Sequence, residues 1–201
     1  MPALRCTLVG IGAIASPKYR PAGLLVSAGT WRVMLDGGPG AEPDGTIDAW
    51  LVSDADSELR TTIRRLGAAR GVKPAVAAFD RPDLSIQPRP VVHTSHPTFG
   101  YLIEVRGRRV VWAPEFMVFP DWAAGADLMF AEASGWARPI RFARGTGGHA
   151  PVLETDRVAR EAGVRRLVFA HIGRPTIRAL VDGLTPPFGE IGVEGRTYEV
   201  D

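Results

Sequence analysis

The order of short apolar runs and turns constrains the fold of this chain more than any other feature. In the first third, apolar or β-branched runs alternate with turns that contain Gly or Pro. The strands that this pattern predicts are 4–9, 23–28, 31–36 and 48–53. Ala28-Gly29-Thr30 is typical of a hairpin turn, and the apolar residues of 57–70 recur at the spacing of an amphipathic helix. The chain therefore opens as a β-meander and continues with a strand, a loop and a helix.

The second part of the sequence alternates strands with helices. The Pro-rich stretch 73–90 predicts one strand followed by a loop, and the tail 189–200 predicts a last hairpin. The predicted strands of this part are 75–79, 101–105, 109–112, 128–131 and 167–170. A helix is predicted over 154–162, where Gly163 ends it. Leading strands with later helices favour packed sheets that are flanked by helices.

Length and charge limit the classes of function. The 201 residues suit one domain with one core. The 24 basic and 22 acidic residues nearly cancel, so net charge neither supports nor excludes a nucleic-acid partner. No apolar stretch reaches the roughly 18 residues that a membrane helix needs, and the N-terminal run is too short for a signal peptide. We expect a soluble, cytoplasmic protein with no membrane contact, in which the single Cys6 is a small buried apolar residue.

The segment 10–15 has the letters of a dinucleotide-binding fingerprint, Gly-Ile-Gly-Ala-Ile-Ala. Its context does not fit that function. Pro17 and Pro21 follow at once, so no helix can begin there to receive a pyrophosphate. The next apolar run is another strand and not a crossover helix, which argues against a Rossmann fold.

Nine segments, in one order along the chain, resemble the landmarks of a known family. They are 8–12, 21–26, 34–40, 48–53, 96–104, 109–115, 126–134, 147–149 and 166–172. Together they resemble the metallo-β-lactamase superfamily, in particular its ribonuclease Z-like and cyclic-phosphodiesterase-like branch. The resemblance covers almost the whole chain. It implies a single domain over residues 1–201 with an α/β fold, the four-layer αββα sandwich of that superfamily.

The resemblance implies a hydrolase, but the metal loop departs from the family's pattern. The signature His-x-His-x-Asp-His gathers imidazoles and a carboxylate on one tight loop around two metal ions that activate water. The matching positions here read Asp54-Ala55-Asp56-Ser57-Glu58-Leu59. Acids replace the two early histidines, Glu58 replaces the aspartate, and Leu59 has no donor atom. The site is therefore a degenerate version of the family's site.

Six residues form the metal site that the resemblance implies. They are Asp54, Asp56, Glu58, His93, Glu115 and His171, and a slip in register would put His96 in place of His93. Carboxylates suit Mn²⁺ or Mg²⁺ and imidazoles add affinity for Zn²⁺ or Fe²⁺, so the set predicts one divalent ion rather than two. The alternative is no metal at all. The three acids of the loop would then cap the following helix at a site open to water.

The same resemblance assigns catalytic roles to His149, Glu132 and Asp56. In the ribonuclease Z-like branch, the histidine of a Gly-His segment protonates the leaving oxygen beside the Glu of a His-Glu-Ala-Thr segment, and His149 and Glu132 stand at these positions. An adjacent carboxylate suits an imidazole to general acid catalysis near neutral pH. Asp56 belongs to the acidic loop that would activate water. The alternative is a His149–Glu132 hydrogen bond with a purely structural role.

Residues near the predicted site also suggest a class of ligand. Arg138, Arg141 and Arg144 form a basic run before His149, which is either a solvated loop or a binding surface for an anionic, phosphate-bearing small molecule. Four aromatic residues flank nearby loops and are candidates for an apolar pocket wall: Phe116, Phe119, Trp122 and Trp136.

Two functions are compatible with these observations. The first is a divergent, metal-dependent hydrolase that acts on a phosphodiester or related ester. The second is a metal-free, inactive relative that binds a small ligand or a protein partner in the same cleft. The sequence leaves the substrate, the metal (Zn²⁺, Mn²⁺ or Fe²⁺) and the formation of a homodimer open.

Overall fold

The computed structural model describes residues 4–143 and 147–201. In chain order the strands are β1 (Leu4–Gly10), β2 (Gly23–Ala28), β3 (Trp31–Asp36), β4 (Ala49–Leu51), β5 (Phe79–Arg81), β6 (Leu84–Val91), β7 (Thr98–Val105), β8 (Arg108–Ala113), β9 (Leu128–Ala133), β10 (Ile140–Arg141), β11 (Gly148–His149), β12 (Leu167–Ile172), β13 (Glu190–Ile191) and β14 (Thr197–Val200). The helices are α1 (Arg60–Ala68), α2 (Val152–Glu161) and α3 (Arg174–Val181), and a short 3₁₀ helix covers Asp121–Ala123. In this part of the chain, no helix is long and apolar enough to cross a membrane.

The strands form two large sheets and one small ribbon. A five-stranded sheet has the order β14-β1-β2-β3-β4, in which β1 to β3 are antiparallel and β4 lies parallel to β3. A seven-stranded sheet has the order β13-β12-β9-β8-β7-β6-β5. Strands β5 to β8 are antiparallel, whereas β8, β9, β12 and β13 are parallel. β10 and β11 pair only with each other.

The sheets and helices form a four-layer αββα sandwich. The main core lies between the two sheets, and its apolar side chains come from both of them. A second cluster, formed by Leu25, Met34, Trp50 and Val52, covers the outer face of the five-stranded sheet and packs against Ile63 of α1. Helix α2 packs against β9 and β12 of the other sheet. Because β9 and β12 are covered on both faces, all of their residues are buried and their sequences are continuously apolar, apart from the residues of the site.

The structure corrects two predictions for the Pro-rich stretch. The strand predicted at 75–79 is wrong, since Ala75 makes only an isolated bridge to Leu51 and β5 begins at Phe79. The loop predicted after it is also wrong, because that segment contains seven of the eight residues of β6. Pro88 and Pro90 suggested a loop, but β5 pairs only with the first part of β6. The prolines therefore lie where β6 has no neighbour on one side and no N–H is needed there.

The C-terminal tail also differs from its prediction. The hairpin predicted over 189–200 is wrong, because β13 lies parallel to β12 whereas β14 lies antiparallel to β1. The two strands therefore join different sheets, and the tail ties the sandwich together. Helix α3 was not predicted, although Pro175 in its first turn is a typical start signal.

Asp36 connects the two sheets at the end where the site lies. Its backbone has a φ of 50°, its carboxylate accepts hydrogen bonds from the Ser53 amide at 2.6 Å and hydroxyl at 3.0 Å, and its carbonyl accepts one from Trp50 Nε1 at 2.7 Å. Across the sandwich, Trp112 Nε1 of β8 donates to the second carboxylate oxygen at 2.7 Å. Burial raises the pKa of the Asp36 carboxyl to about 6. The connection between the sheets is therefore a buried acid held by indole and hydroxyl donors.

We expect Trp112→Phe to lower the free energy of unfolding by about 1–3 kcal/mol, because it leaves a buried carboxylate oxygen without its donor. The pKa of Asp36 in the folded protein, about 6, lies above the ordinary value, so Asp36 stabilises the fold at low pH and this contribution is lost as pH rises through 6. Removing a donor to the carboxylate raises that pKa further. The difference in the free energy of unfolding between the variant and the wild type should therefore widen above about pH 6. Urea denaturation at several pH values measures this difference.

Trp122→Phe is the matched control. Trp122 Nε1 donates to the carbonyl of Pro90 at 3.0 Å in an exposed position, where water replaces the lost bond. Equal, pH-independent losses in the two variants would contradict the role assigned to Asp36.

Candidate metal and catalytic site

A cleft of about 280 Å³ lies at the carboxyl ends of the parallel strands of the seven-stranded sheet. Ligand sites of open α/β sheets lie at this edge, because the loops that leave neighbouring strands meet there. The cleft is lined by all six predicted metal ligands, Asp54, Asp56, Glu58, His93, Glu115 and His171, and by His96 and His149. Glu132, the other predicted catalytic residue, is fully buried behind this wall. The structure thus gathers residues that are far apart in the sequence around one space.

Glu115 lies between two histidines just after β8. Its Oε2 atom is 2.9 Å from His93 Nε2, and its Oε1 atom is 2.7 Å from His171 Nε2. Burial would raise the pKa of this carboxyl, but the two imidazoles outweigh burial and hold it well below its usual range. Glu115 is therefore a carboxylate at neutral pH.

His171 is held in one orientation at the end of β12. Its backbone has a φ of 61°, a conformation that is rare for residues other than glycine. The Ser134 hydroxyl donates its hydrogen to the carbonyl of His171 at 3.2 Å, so it accepts one from His171 Nδ1 at 3.0 Å. Nδ1 therefore bears a hydrogen, and Nε2 is the nitrogen that faces the cleft.

The charge of His171 is set by two carboxylates. Burial alone would lower its pKa, but Glu115 and Glu132 outweigh burial and raise it to about 10. Glu132 Oε1 lies 3.3 Å from Nδ1, on the opposite side of the ring from Glu115. Any ligand that takes the Nε2 lone pair must therefore displace a tightly held proton.

His93 is oriented by the backbone of β11. Its Nδ1 atom donates to the carbonyl of Gly148 at 2.9 Å, and the Gly148 amide donates back to the carbonyl of His93 at 2.9 Å. At the neighbouring Gly147, φ is 136° and a Cβ atom would lie 2.0 Å from that carbonyl, so the close approach needs glycine. His93 Nε2 is thus left to face Glu115. Burial opposes a charge on this ring, but Glu115 outweighs it and the pKa of His93 is raised.

Glu132 and His149 form the pair that the sequence predicts as general acid and partner. His149 Nδ1 lies 2.6 Å from Glu132 Oε2. The amides of Ser134, at 2.8 Å, and Phe116, at 3.2 Å, donate to the same carboxylate. Burial raises the pKa of Glu132, but the charges of His149 and His171 outweigh it and lower the pKa to about 2. Since this ionised acid accepts from Nδ1, the nitrogen of His149 that remains for a substrate is Nε2.

Two overlapping sets of donors can be compared for a metal ion. Glu132, His149 and His171 have donor atoms within 4.8 Å of one another. However, both oxygens of Glu132 already accept hydrogen bonds, so it orients the rings from behind as outer carboxylates do in metal sites.

The second set is His93, Glu115 and His171. Within residues 4–143 and 147–201, His171 Nε2 is buried and has no hydrogen-bond partner, although Glu115 Oε1 lies only 2.7 Å away. An unsatisfied buried nitrogen beside a carboxylate fits an ion between them. Two imidazoles and a carboxylate also form the donor set of many hydrolytic zinc sites, in which a fourth position is left for water. His93 and His171 lie on the two different oxygens of Glu115. A metal ion held by these three residues is therefore a proposal, whereas the three described residues whose donor atoms lie within 4.8 Å of one another are Glu132, His149 and His171.

The acidic loop lies on the opposite side of the cleft. Asp54 Oδ2 is 2.9 Å from His96 Nε2, and Asp54 Oδ1 accepts from the Asp56 amide at 2.7 Å. The side chains of Asp56 and Glu58 are exposed, and Asp56 forms an ion pair with Arg60 at 3.1 Å. Their role as metal ligands stays a prediction. The alternative prediction was that these acids cap α1. It is wrong for hydrogen bonding, because in the described structure no side chain caps the start of α1.

The arginines and aromatic residues that were predicted to bind a ligand do not line the cleft in the described part of the chain. Arg138 and Arg141 are exposed, and Arg144 lies outside the described residues. None of the four predicted aromatic residues is among the described residues that line the cleft. Phe116 packs in the core beneath Phe119, and Phe142 provides the aromatic wall instead, with its ring 5.3 Å from that of His149.

The sequence did not predict the roles of Ser134 and Gly147, and it offered His96 only as an alternative ligand to His93 and not as the partner of Asp54. Ser134 fixes the tautomer of His171, Gly147 permits the approach to His93, and His96 pairs with Asp54. The Gly147-Gly148 dipeptide before His149 was a visible signal of close backbone contact. No local pattern indicates the Asp54–His96 contact, which spans 42 residues.

Solved structures show that the fold is a known one. The metallo-beta-lactamase fold protein YhfI from Bacillus subtilis is 18% identical with a TM-score of 0.74, and the alignment covers 98% of this chain and 100% of that one. Zn²⁺-bound PqqB from Methylobacterium extorquens is 17% identical with a TM-score of 0.73 and the same coverage. A diphosphatase from the PhnP family is 15% identical with a TM-score of 0.70, with 98% of each chain covered. At these identities the likeness shows the fold alone.

Sequence comparison places the chain in a family. No curated protein matches the sequence. The family model described as the beta-lactamase superfamily domain matches residues 24–172, which are more than half of the chain. This protein therefore belongs to the beta-lactamase superfamily.

Proposed function

We propose that this protein is a metal-dependent hydrolase that cleaves a phosphodiester or related ester in the cleft. The observation that carries the proposal is the convergence of His93, Glu115 and His171 beside the His149–Glu132 pair. The names of similar structures favour phosphorus esters as substrates, since one is a diphosphatase and another is the human tRNase Z short form. The coarser conclusion, a hydrolase-type fold with a candidate metal site, rests on the family and the donor geometry.

The residues of the site divide the work between binding and proton transfer. His93, Glu115 and His171 would hold one ion, which supplies Lewis acidity and lowers the pKa of a bound water when present. His149 faces the same cleft and would donate a proton to the leaving oxygen from Nε2. Glu132 accepts the hydrogen bond from His149 Nδ1 and holds the ring so that Nε2 is free for the leaving oxygen. Asp54, Asp56 and Glu58 are proposed as further contacts of the ion or of water.

A second candidate function is supported by a specific observation. Glu115 lies at ion-pair distance from His93 and His171, and Asp54 is hydrogen-bonded to His96, so these two acids of the cleft already have partners. Such a network can persist with protons in place of a metal. In that case the protein would be a binding protein for an anionic ligand, with the imidazoles as donors.

The metal content of the purified protein distinguishes the two candidate functions. We expect the protein purified without an affinity tag or chelator to contain about one equivalent of Zn²⁺, Mn²⁺ or Fe²⁺, because three protein ligands hold one ion with an open position. His171→Ala should lose most of it, whereas His96→Ala should retain it, since His96 is outside the three proposed ligands. Elemental mass spectrometry measures the content, and circular dichroism checks that each variant is folded.

A metal-free wild type, even after incubation with Zn²⁺, Mn²⁺ and Fe²⁺, would overturn the hydrolase in favour of the binding protein. Loss of metal in His96→Ala but not in His171→Ala would move the site to the acidic loop.

The proposed role of His149 as a general acid depends on the leaving group of the ester. We expect His149→Ala to slow the hydrolysis of an ester with an alcohol leaving group by about 10²–10⁴-fold, because an alkoxide needs a proton as it leaves. Hydrolysis of bis(p-nitrophenyl) phosphate should change far less, because p-nitrophenolate leaves without one. The ratio of kcat values for the two ester classes, at unchanged metal content, measures the effect. Equal slowing of both would instead indicate that His149 only orders the loop.

A further inference from the structure

A second space adjoins the cleft on the side of the acidic loop. This groove has a volume of about 600 Å³ and lies between α1 and the segment 73–76. Asp54 and Ser57 line both the groove and the cleft, so the two spaces share part of their wall. The volume is in the range of small-molecule binding sites. A molecule with its ester in the cleft can therefore extend into the groove.

The groove has a preformed apolar floor. Val52, Ile63 and Val76 provide apolar side chains, of which the first two are buried. The segment 73–76 is anchored to the sheet, because the Val52 amide donates to the carbonyl of Ala75 at 3.1 Å and the Ala75 amide donates to that of Trp50 at 3.2 Å. The floor can thus receive an apolar body without rearrangement.

The rim of the groove is cationic. Arg60, Arg64 and Lys73 line it with exposed side chains, and Asp54 is the carboxylate among the described lining residues. Both oxygens of Asp54 are already engaged, by His96 and by the Asp56 amide. In the described part of the chain Arg64 and Lys73 form no ion pair, and the exposed pair of Arg60 with Asp56 is weak. Three cations therefore face an apolar space with little local compensation.

We propose that this groove binds a second phosphate of the substrate, carried on an apolar body whose scissile ester lies in the cleft. Guanidinium groups bind phosphate through paired, charge-assisted hydrogen bonds, and lysine adds a point charge. The inference rests on the proposed hydrolase and narrows its substrates to esters with a separate terminal phosphate. It assigns Arg64 and Lys73 to substrate selection, away from the reacting atoms.

Calorimetry tests the groove without requiring catalysis. Thymidine 3′,5′-bisphosphate and thymidine 5′-monophosphate serve as probes that differ by one phosphate on the same nucleoside, whose thymine ring offers an apolar face and a methyl group to the floor of the groove. At low ionic strength, where exposed charges are least screened, we expect the protein as purified to bind the bisphosphate at least about tenfold more tightly. The double variant R64Q/K73Q should bring this preference close to one. The control R106Q/R160Q removes the same charge from exposed positions at the β7–β8 turn and on α2, and it should keep the preference.

The outcomes separate the groove from the hydrolase. Equal binding of the two probes, no binding of either, or an equal loss in the control variant would overturn the groove. Hydrolysis is followed separately with thymidine 5′-(p-nitrophenyl phosphate) and its 3′-phosphorylated form. A preference that is lost only in R64Q/K73Q, without hydrolysis of either ester, supports the groove and rejects the hydrolase. Hydrolysis of both esters with equal kcat/KM, and no preference in binding, rejects the groove and supports the hydrolase.

Discussion

The buried carboxylate of Glu132 is the interaction on which the site depends. It is inaccessible to solvent, and it receives two backbone amides and the rings of His149 and His171. A charge in this position is tolerated only because these donors replace water, and loss of one partner would leave the others facing an uncompensated charge. The same carboxylate therefore sets the tautomer of His149, contributes to that of His171 and joins β9 to the loop after β8. Catalysis and local stability are coupled through one group.

The orientations of His93 and His171 are fixed by a backbone carbonyl and a hydroxyl group that accept hydrogen bonds from their Nδ1 atoms. His93 gives its Nδ1 hydrogen to the Gly148 carbonyl, and His171 gives its hydrogen to Ser134. In both rings Nε2 is left to face Glu115. Two distant segments thus present equivalent nitrogens to one carboxylate, because β6 and β12 run in the same direction and end at the same edge of the seven-stranded sheet. The order of strands in the sheet thus brings His93 and His171, which are far apart in the sequence, to the same carboxylate.

Much of the fold could be predicted from sequence, and the failures have physical causes. β1 to β3 and β7 to β9 are apolar runs bounded by turns, so their local signal agrees with the tertiary structure. β6 was missed because its prolines were taken as evidence against a strand. Proline disfavours a strand only where its N–H would have to pair, and the sequence does not show that one side of β6 has no neighbouring strand at the prolines. The tail was misassigned because local pattern cannot tell which sheet a strand joins. In the site, the resemblance indicated His149 with Glu132, whereas the Asp54–His96 contact depends on loop packing that has no periodic signal.

The charges of the buried histidines and acids suit either bound protons or the divalent ion proposed above. Glu115 and Glu132 are ionised because imidazoles lower their pKa values, and the pKa values of His93 and His171 are raised by the same carboxylates. With both of these rings protonated, two positive charges balance two negative ones. Exchange of the protons of His93 and His171 for one divalent cation would leave the total charge of the site unchanged. The surrounding core would therefore experience a similar electric field with either the protons or the cation bound. A buried network of this composition is costly compared with an apolar one of equal volume. Among the described residues His171 Nε2 has no hydrogen-bond partner, and this is the feature of the network that the proposed ion would account for.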